Sequence, residues 1–390
     1  MSGSTRRLQA AVVGTGFVGP FHVDAIRRGG FAEAAVIVGS DPDRTATSAD
    51  LLGVDRWSTD LVSVLADPGI DVVHVCTPNR THVEIATAAV MAGKHVVVEK
   101  PAGLDAESAA SVAALARRHG RHGAVAYTYR GYPMVRRARA LVAGGELGDI
   151  RLVRGAYIQD WLSEPADYNW RVDPVVSGTS RAVADIGSHW FDTAEFISGQ
   201  RVEAVLADLA TFIPVRHRPR GAGVAFGAGS GPTDPVDIRS EDAATVLVRF
   251  HGGARGAFTV SQVSPGRKNS FELAVDGSRR SLDWAQEDPE HLWLRDRAES
   301  RFLTRGLEDA MAAGGRGVPS LPAGHPEGWA EALRDVLRPF YAAIAAGEPP
   351  PARGSAHYPT LDDGARGVAL VEAVLESARE GSWTEVRDPR

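Results

Sequence analysis

Asp185, His189 and Asp192, in the stretch DIGSHWFD, stand at offsets of zero, four and seven. On a helix those offsets fall on one face. Two carboxylates flanking an imidazole, interleaved with Ile186, Trp190 and Phe191, make neither an apolar core stripe nor a plainly solvated face. Two arrangements suit them. Asp185 can cap a helix whose His189 packs half-buried, or the face can line a cleft where a proton is moved. Imidazole titrates nearest neutrality, so His189 can take up a proton at working pH. Asp192, a turn further on, reads as an orienting or helix-structural residue.

A lysine is the second chemical candidate. Of 43 Lys and Arg residues, only Lys94, Lys100 and Lys268 are lysine. Arginine keeps its proton at any working pH, whereas a desolvated lysine beside other charges can release it. The sequence keeps a lysine in Glu99-Lys100-Pro101, at the end of an apolar run, where proton transfer or the holding of a substrate hydroxyl would need one. Pro101 stiffens that turn by fixing its own φ and restricting Lys100. Lys94, in AGKH, reads as a solvated helix-end residue.

The electron acceptor is suggested by GTGFVG, which sets Gly14, Gly16 and Gly19 in the G-x-G-x-x-G spacing, with Phe17 and Val18 between them. In that spacing the first glycine makes a tight turn, the second admits a pyrophosphate to the backbone, and the third lets the helix approach the strand. Ser40 and Asp41 end the next apolar run, where a carboxylate meets ribose hydroxyls. Asp41 favours NAD over NADP, and nearby Arg44 keeps NADP open. CTPNRTH ends a further run, so Thr77, Pro78 and Asn79 edge the nicotinamide side. His82 is either a cap or a site residue, and His74, inside the run, reads as a buried structural histidine.

These residues need a scaffold. LQAAVVGTG, AAVIVGSD, DVVHVCTP, HVVVEKP and GAVAYTY read as five strands without strict alternation, hence covered on both faces. Helical spacing between them predicts a parallel, doubly wound sheet, with its ligand crevice at the carboxyl ends of the strands. From about Ile150 the runs lengthen and partly alternate (IRLVRGAYIQ, VEAVLADLATFI, AATVLVRF, ARGAFTVSQV, FELAVDG, SLDWAQ), which predicts an antiparallel sheet with one covered face. Helices are expected at Ile186–Ser198, Pro326–Ala346 and Leu361–Arg379. RHRPRGAGVAFGAGSGPTDPVD is expected to be a long loop. The division is then a dinucleotide-binding domain over 1–130 and a substrate and oligomerisation domain over 131–390, with the last helix able to return to the first domain.

Six of eight tryptophans lie between Trp161 and Trp329. An indole face covers the C–H face of a sugar ring while polar neighbours bind its hydroxyls. Gln159 and Trp161 end a strand, Trp170 and Arg171 follow in a loop, and AGHPEGW brings His325 to a helix start. Gln159, Trp161, Arg171 and His325 are the expected sugar contacts, with Trp170 and Arg171 also near the cofactor.

The 390 residues carry a net charge of −6 with no basic block, which argues against a nucleic-acid binder. No run is long and apolar enough to span a membrane, and the single cysteine, Cys76, excludes a disulfide framework, so the cytoplasm is the expected compartment. No H-E-x-x-H, cysteine pair or G-x-S-x-G occurs, so neither a zinc site nor the usual hydrolases are indicated.

GTGFVG, CTPNRTHVEIA…AGKHVVVEKP and DIGSHWFD, in this order, resemble the Gfo/Idh/MocA family of nicotinamide-dependent sugar and cyclitol oxidoreductases, over essentially the whole chain. The resemblance implies a Rossmann domain followed by an open, mostly antiparallel α/β domain whose sheet often joins subunits, here into a homodimer or homotetramer. It maps the catalytic lysine, aspartate and histidine onto Lys100, Asp185 and His189. YIQDWL and NWR are similar to members that oxidise C3 of a pyranose ring. Many members have a glycine-rich turn where this sequence reads SGTSRAVAD, a departure that would let Arg181 enter the pocket. The implied activity is NAD-dependent oxidation of a ring hydroxyl to a ketone. A redox-assisted glycosidase or epimerase, and a non-catalytic sugar sensor, are the rival readings.

Overall fold

The computed structural model describes residues 6–220, 232–306 and 321–389. Six parallel strands form the first sheet: β1 (Leu8–Val13), β2 (Ala32–Val38), β3 (Trp57–Ser58), β4 (Val72–Val75), β5 (His95–Val98) and β6 (Gly123–Val125). Their order is β3-β2-β1-β4-β5-β6. The winding order of the strands reverses between β1 and β4, which are themselves parallel, and this opens a crevice at their carboxyl ends. The short edge strand β3 was not anticipated, because two residues carry no periodicity to read.

Helices α1 (Gly19–Gly29), α2 (Pro42–Leu51), α3 (Leu61–Ala66), α4 (His82–Met91) and α5 (Ala106–Arg118) connect these strands. Asp41, Asp60 and Asp105 each accept a backbone N–H at a helix start, which satisfies one of the donors a helix leaves open there. Lys94 is buried, contrary to the solvated helix end expected of it. Its Nζ donates to the carbonyls of Asp67 and Ile70 at 2.7 and 2.9 Å, stitching the loop before β4.

The second sheet has nine strands: β7 (Ile150–Ile158), β8 (Val202–Ala210), β11 (Ala243–Phe250), β12 (Arg255–Ser261), β13 (Ser270–Gly277), β14 (Ser281–Ala285), β15 (His291–Arg295), β16 (Ser300–Thr304) and β17 (Thr384–Glu385). All neighbours are antiparallel except β7 and β12. Along β11, Ala244, Val246, Val248 and Phe250 are buried while Thr245, Leu247 and Arg249 face out. The covered face lies under α6 (Pro133–Ala143) and α8 (Ser188–Ser198), where Trp190 stacks on Phe258 at 4.3 Å. Within the stretch expected to be one long loop, β9 (Val215–Pro219) and β10 (Thr233–Asp237) pair as an antiparallel ribbon; residues 221–231 lie outside the described residues. The short helix α7 (Pro174–Ser177) precedes α8.

Both C-terminal helices return to the first sheet, not the last alone. From α9 (Trp329–Ala345), Leu333, Val336, Leu337, Phe340 and Tyr341 join the core beneath Val12, Ile26 and Val97. From α10 (Leu361–Glu380), Leu361, Ala365, Val368 and Ala369 enter the first sheet's core, while Leu370, Val371, Ala373 and Val374 enter the second. One continuous helix therefore ties the two cores together.

Candidate active site

At the exit of β1, Gly14 has φ +119°, and a Cβ there would stand 2.4 Å from the Cys76 carbonyl oxygen. A Cβ on Gly19 would stand 2.7 Å from the Gly14 oxygen. The fold itself requires those two glycines. Gly16 differs, since a Cβ there meets nothing within 4 Å. The space over Gly16 is what a dinucleotide pyrophosphate needs. The start of α1 carries neither a side-chain cap nor an acidic residue in its first turn, so no carboxylate competes there with an anion. Gly16→Val is accordingly expected to leave the melting temperature unchanged and to weaken NADH binding at least about tenfold, read by fluorescence titration. A parallel loss of stability would show that the fold also needs this glycine.

Around that loop, Phe17 is exposed and meets Phe21 and Trp329 at 5.2 and 6.5 Å, and Val18 is half-buried. Ser40, Asp41 and Arg44 are exposed at the exit of β2, where Asp41 Oδ1 accepts the Arg44 backbone N–H at 2.8 Å. Thr77 and Pro78 lead into a tight turn at Asn79, whose Nδ2 donates to the Ser177 carbonyl at 3.0 Å. His82 is buried at the start of α4. Its Nδ1 and Nε2 each lie 2.7 Å from a carbonyl, those of Pro101 and Thr77. Of the two readings open for His82, the structure favours the structural one, with the ring set between two strand exits.

The reactive cluster forms where the two sheets meet. From the exit of β5, Lys100 Nζ donates to Asp185 Oδ1 at 2.7 Å and to the Asp185 carbonyl at 2.8 Å. Arg171 Nε donates to Oδ1 at 3.3 Å, and Gln262 Nε2 to Oδ2 at 2.8 Å. Burial works against the charge on Asp185, but Lys100 and Arg171 outweigh it and hold the carboxyl well below the usual range. His189 is buried with no hydrogen-bond partner for Nδ1, among the rings of Tyr127, Tyr129 and Tyr157. Burial, and then the Lys100 charge, push its pKa well below the ordinary value against the pull of Asp185. The cluster thus holds a carboxylate, an amine and a neutral imidazole.

The geometry of this stretch departs from a regular helix. Asp185 lies in a π-helical turn, Val183–Gly187, so the simple offset of four and seven does not describe it. Asp185 and His189 stay on the cleft, while Asp192 pairs with Arg130, whose Nε lies 2.8 Å from Oδ2. Burial raises the Asp192 pKa to about 7, against Arg130. Arg181 does not enter the pocket. It is fully buried against Asp242, which also accepts from Arg216 at 3.0 Å. Buried Glu241 accepts from Ser180 Oγ and from the backbone N–H groups of Arg181 and Val183 at 2.7 to 2.9 Å, and so anchors the π turn.

Gln159 and Trp161 sit beside this cluster. Trp161 Nε1 donates to Gln159 Oε1 at 2.9 Å, and Gln159 Nε2 donates to Asn269 Oδ1 at 2.7 Å. Tyr157 donates to the same oxygen at 2.7 Å and meets the Tyr129 hydroxyl at 2.6 Å. Arg171 lies over Trp170 at 4.5 Å and near Trp161 at 5.9 Å. The tryptophan wall therefore narrows to Trp161 and Trp170, since Trp190 and Trp284 are core residues, Trp293 is exposed and Trp329 packs on Phe21 at 5.1 Å. His325 is also exposed, and its carbonyl accepts from Arg305 at 2.6 Å. Sequence reading missed Gln262 and Glu241, which flank the same end of the β11–β12 pair, where Ala243 faces Ser261, and look like ordinary strand-end residues.

A doubly wound sheet with an open glycine cradle, joined to a lysine, a carboxylate and a neutral imidazole, defines a dinucleotide-dependent oxidoreductase. The chain belongs to the GFO/IDH/MocA family: residues 8–127 match the family's NAD-binding Rossmann-fold model, and residues 135–283 match its C-terminal domain. It is 32% identical to the levoglucosan dehydrogenase of Pseudarthrobacter phenanthrenivorans, covering 98% of each chain. It is 28% identical to the scyllo-inositol 2-dehydrogenase (NAD(+)) of Bacillus subtilis over 66% of this chain and 68% of that one. Among solved structures, levoglucosan dehydrogenase in complex with NADH and levoglucosan superposes with a TM-score of 0.86 at 27% identity, over 98% of this chain and all of the other. An inositol dehydrogenase homologue from Azotobacter vinelandii, in complex with NAD+, gives 0.82 at 31%, over 97% of each chain. The protein is an NAD-binding oxidoreductase of the sugar and cyclitol dehydrogenase type.

Proposed function

We propose that the protein oxidises a ring secondary hydroxyl of a sugar, glycoside or cyclitol to a ketone, at C3 where the substrate is a pyranose. The observation that carries this reading is the Lys100–Asp185–His189 cluster at the strand exits beside the glycine cradle. The likeness to levoglucosan dehydrogenase over the full chain supports a sugar substrate of the pyranose kind. NAD, when bound, supplies the hydride acceptor. Gly16, the open start of α1 and Asp41 are the residues that would hold it, with Thr77, Pro78 and Asn79 edging the nicotinamide side.

Lys100 spends two donors on Asp185 and keeps a third for the substrate oxygen. Asp185 fixes the amine and is itself fixed by Arg171 and Gln262. His189, neutral, accepts the hydroxyl proton as the ketone forms. Gln159, Trp161 and Arg171 form the wall for the remaining hydroxyls and a C–H face of the ring.

A panel of pyranoses, anhydrosugars and inositols with NAD and NADP, followed at the nicotinamide absorbance, tests the reading. Sustained NADH formation with NAD preferred is expected. Substrate conversion without net NADH would instead identify a redox-assisted epimerase or glycosidase.

The open face of the second sheet supports a subunit interface. Leu247, Ala257, Arg154, Ala274, Asp283, Trp293 and Phe302 form one cross-strand row on it. Leu247, Trp293 and Phe302 are 45, 39 and 45% exposed in the isolated chain. Exposed apolar side chains in such a row mark an association surface. Light scattering is expected to give a dimer or tetramer that Leu247→Glu/Trp293→Glu dissociates; a monomeric wild type would end this proposal.

A further inference from the structure

Glu99 divides its carboxylate between two partners. Oε2 accepts the Lys100 backbone N–H at 3.2 Å, and Oε1 lies 2.9 Å from His22 Nε2. His22 Nδ1 faces His74 Nδ1 at 2.7 Å, and His74 Nε2 meets the Tyr341 hydroxyl at 2.5 Å. The chain crosses four elements, β5, α1, β4 and α9, and all four side chains are buried: His22 and His74 at 0%, Tyr341 at 2% and Glu99 at 7% exposure. Nothing in the oxidation itself uses His22, His74 or Tyr341.

Two imidazoles that meet through Nδ1 need one donor and one acceptor. Burial works against a charge on His22, but Cys76 and Glu99 beside it prevail and raise its pKa. Burial also holds the Cys76 thiol up, so Glu99 is the anion that His22 answers. Burial and the His22 charge keep His74 neutral. His22 then donates from both nitrogens, and His74 accepts at Nδ1 and donates to Tyr341. The groups that act on Glu99 are His22 from α1, Cys76 just past β4, His82 from α4 and Lys100 from its own turn. Burial alone would raise the Glu99 pKa; His22 first, then Lys100 and His82, bring it down.

We propose that His22 is a positioning residue for Lys100: oriented by His74 and Tyr341, it holds the Glu99 carboxylate against the Lys100 backbone and so sets the lysine against Asp185. The inference rests on the reading of Lys100 as the reactive lysine. Removing His22 takes away the first of the influences that lower the Glu99 pKa and leaves burial opposed only by Lys100 and His82, so the pKa rises and the grip on the Lys100 turn weakens as pH falls.

The test uses the full chain bound to NADH. In His22→Leu, a protonated-carboxyl stretch is expected by infrared difference spectroscopy as pH falls from about 9 to about 5. The wild type shows only the Asp192 band over that range, and His22→Leu/Glu99→Gln abolishes the added Glu99 band. kcat falls about tenfold or more along the same midpoint, while NADH affinity stays within about twofold. Wild-type kcat in the variant, a band without a matching fall in kcat, or NADH affinity lost in step with kcat would each overturn the proposal. If His22→Leu does not fold, His22→Gln, which loses the charge and keeps a donor, is read the same way. Should the wild type oxidise no sugar or cyclitol, the proposed function falls, and the positioning role is then judged on the infrared band alone.

Discussion

Lys100→Met is expected to lower kcat by about 10³-fold or more while NADH binding stays within about twofold of wild type. The side chain lies between two sheets, and its amine is committed to Asp185 by two hydrogen bonds. Methionine keeps the length and packing of the stem and removes all three donors, so the loss is chemical and not steric. Asp185 would keep Arg171 and Gln262 as partners, so its carboxylate is not stranded. The glycine cradle and Asp41 lie on β1 and β2 and do not touch the lysine, which is why nucleotide affinity survives. Steady-state kinetics with the best substrate of the panel, beside a fluorescence titration of NADH, separate the two quantities. Equal turnover in Lys100→Met would remove the lysine from the mechanism, and a matching loss of NADH affinity would make it a cofactor residue only.

The parts of this site that sequence made legible are those where one residue type does a job no other can. Gly14 and Gly19 are forced by backbone contacts, Gly16 by an open space, and Lys100 stands out in a chain that otherwise prefers arginine. Strand exits place these residues, and strand exits follow from apolar runs that end in glycine or proline. What stayed hidden depends on where distant segments land. Arg181 looked like a pocket residue, yet Asp242, about sixty positions on, takes it into the core. His325 and His82 were chemically eligible, but the fold leaves one exposed and spends the other on two carbonyls. The π turn at Val183–Gly187 could not be read from helical offsets, because it is held by Glu241 and by buried neighbours rather than by local propensity.

His189→Asn carries the other large effect: kcat is expected to drop about 10²- to 10³-fold, with the substrate KM changed only a few-fold. Burial and the nearby Lys100 charge keep the ring neutral, so its proton-accepting form persists below the usual histidine range. The sign follows from that. Activity that needs a neutral imidazole is full above the folded pKa and fades only as pH falls through it. The wild-type acid limb of kcat/KM should therefore lie well below the ordinary histidine value near 6.5. In His189→Asn the limb assigned to this ring should vanish, and the residual rate should rise with pH as hydroxide or solvent replaces the base. Asparagine preserves polarity and approximate size among Tyr127, Tyr129 and Tyr157, so a folded variant is expected. A limb centred at the ordinary histidine value that persists unchanged in His189→Asn would give the proton to another group. Lys100 would then be the remaining candidate, because Asp185, held ionised by Lys100 and Arg171, is too weak a base to take it.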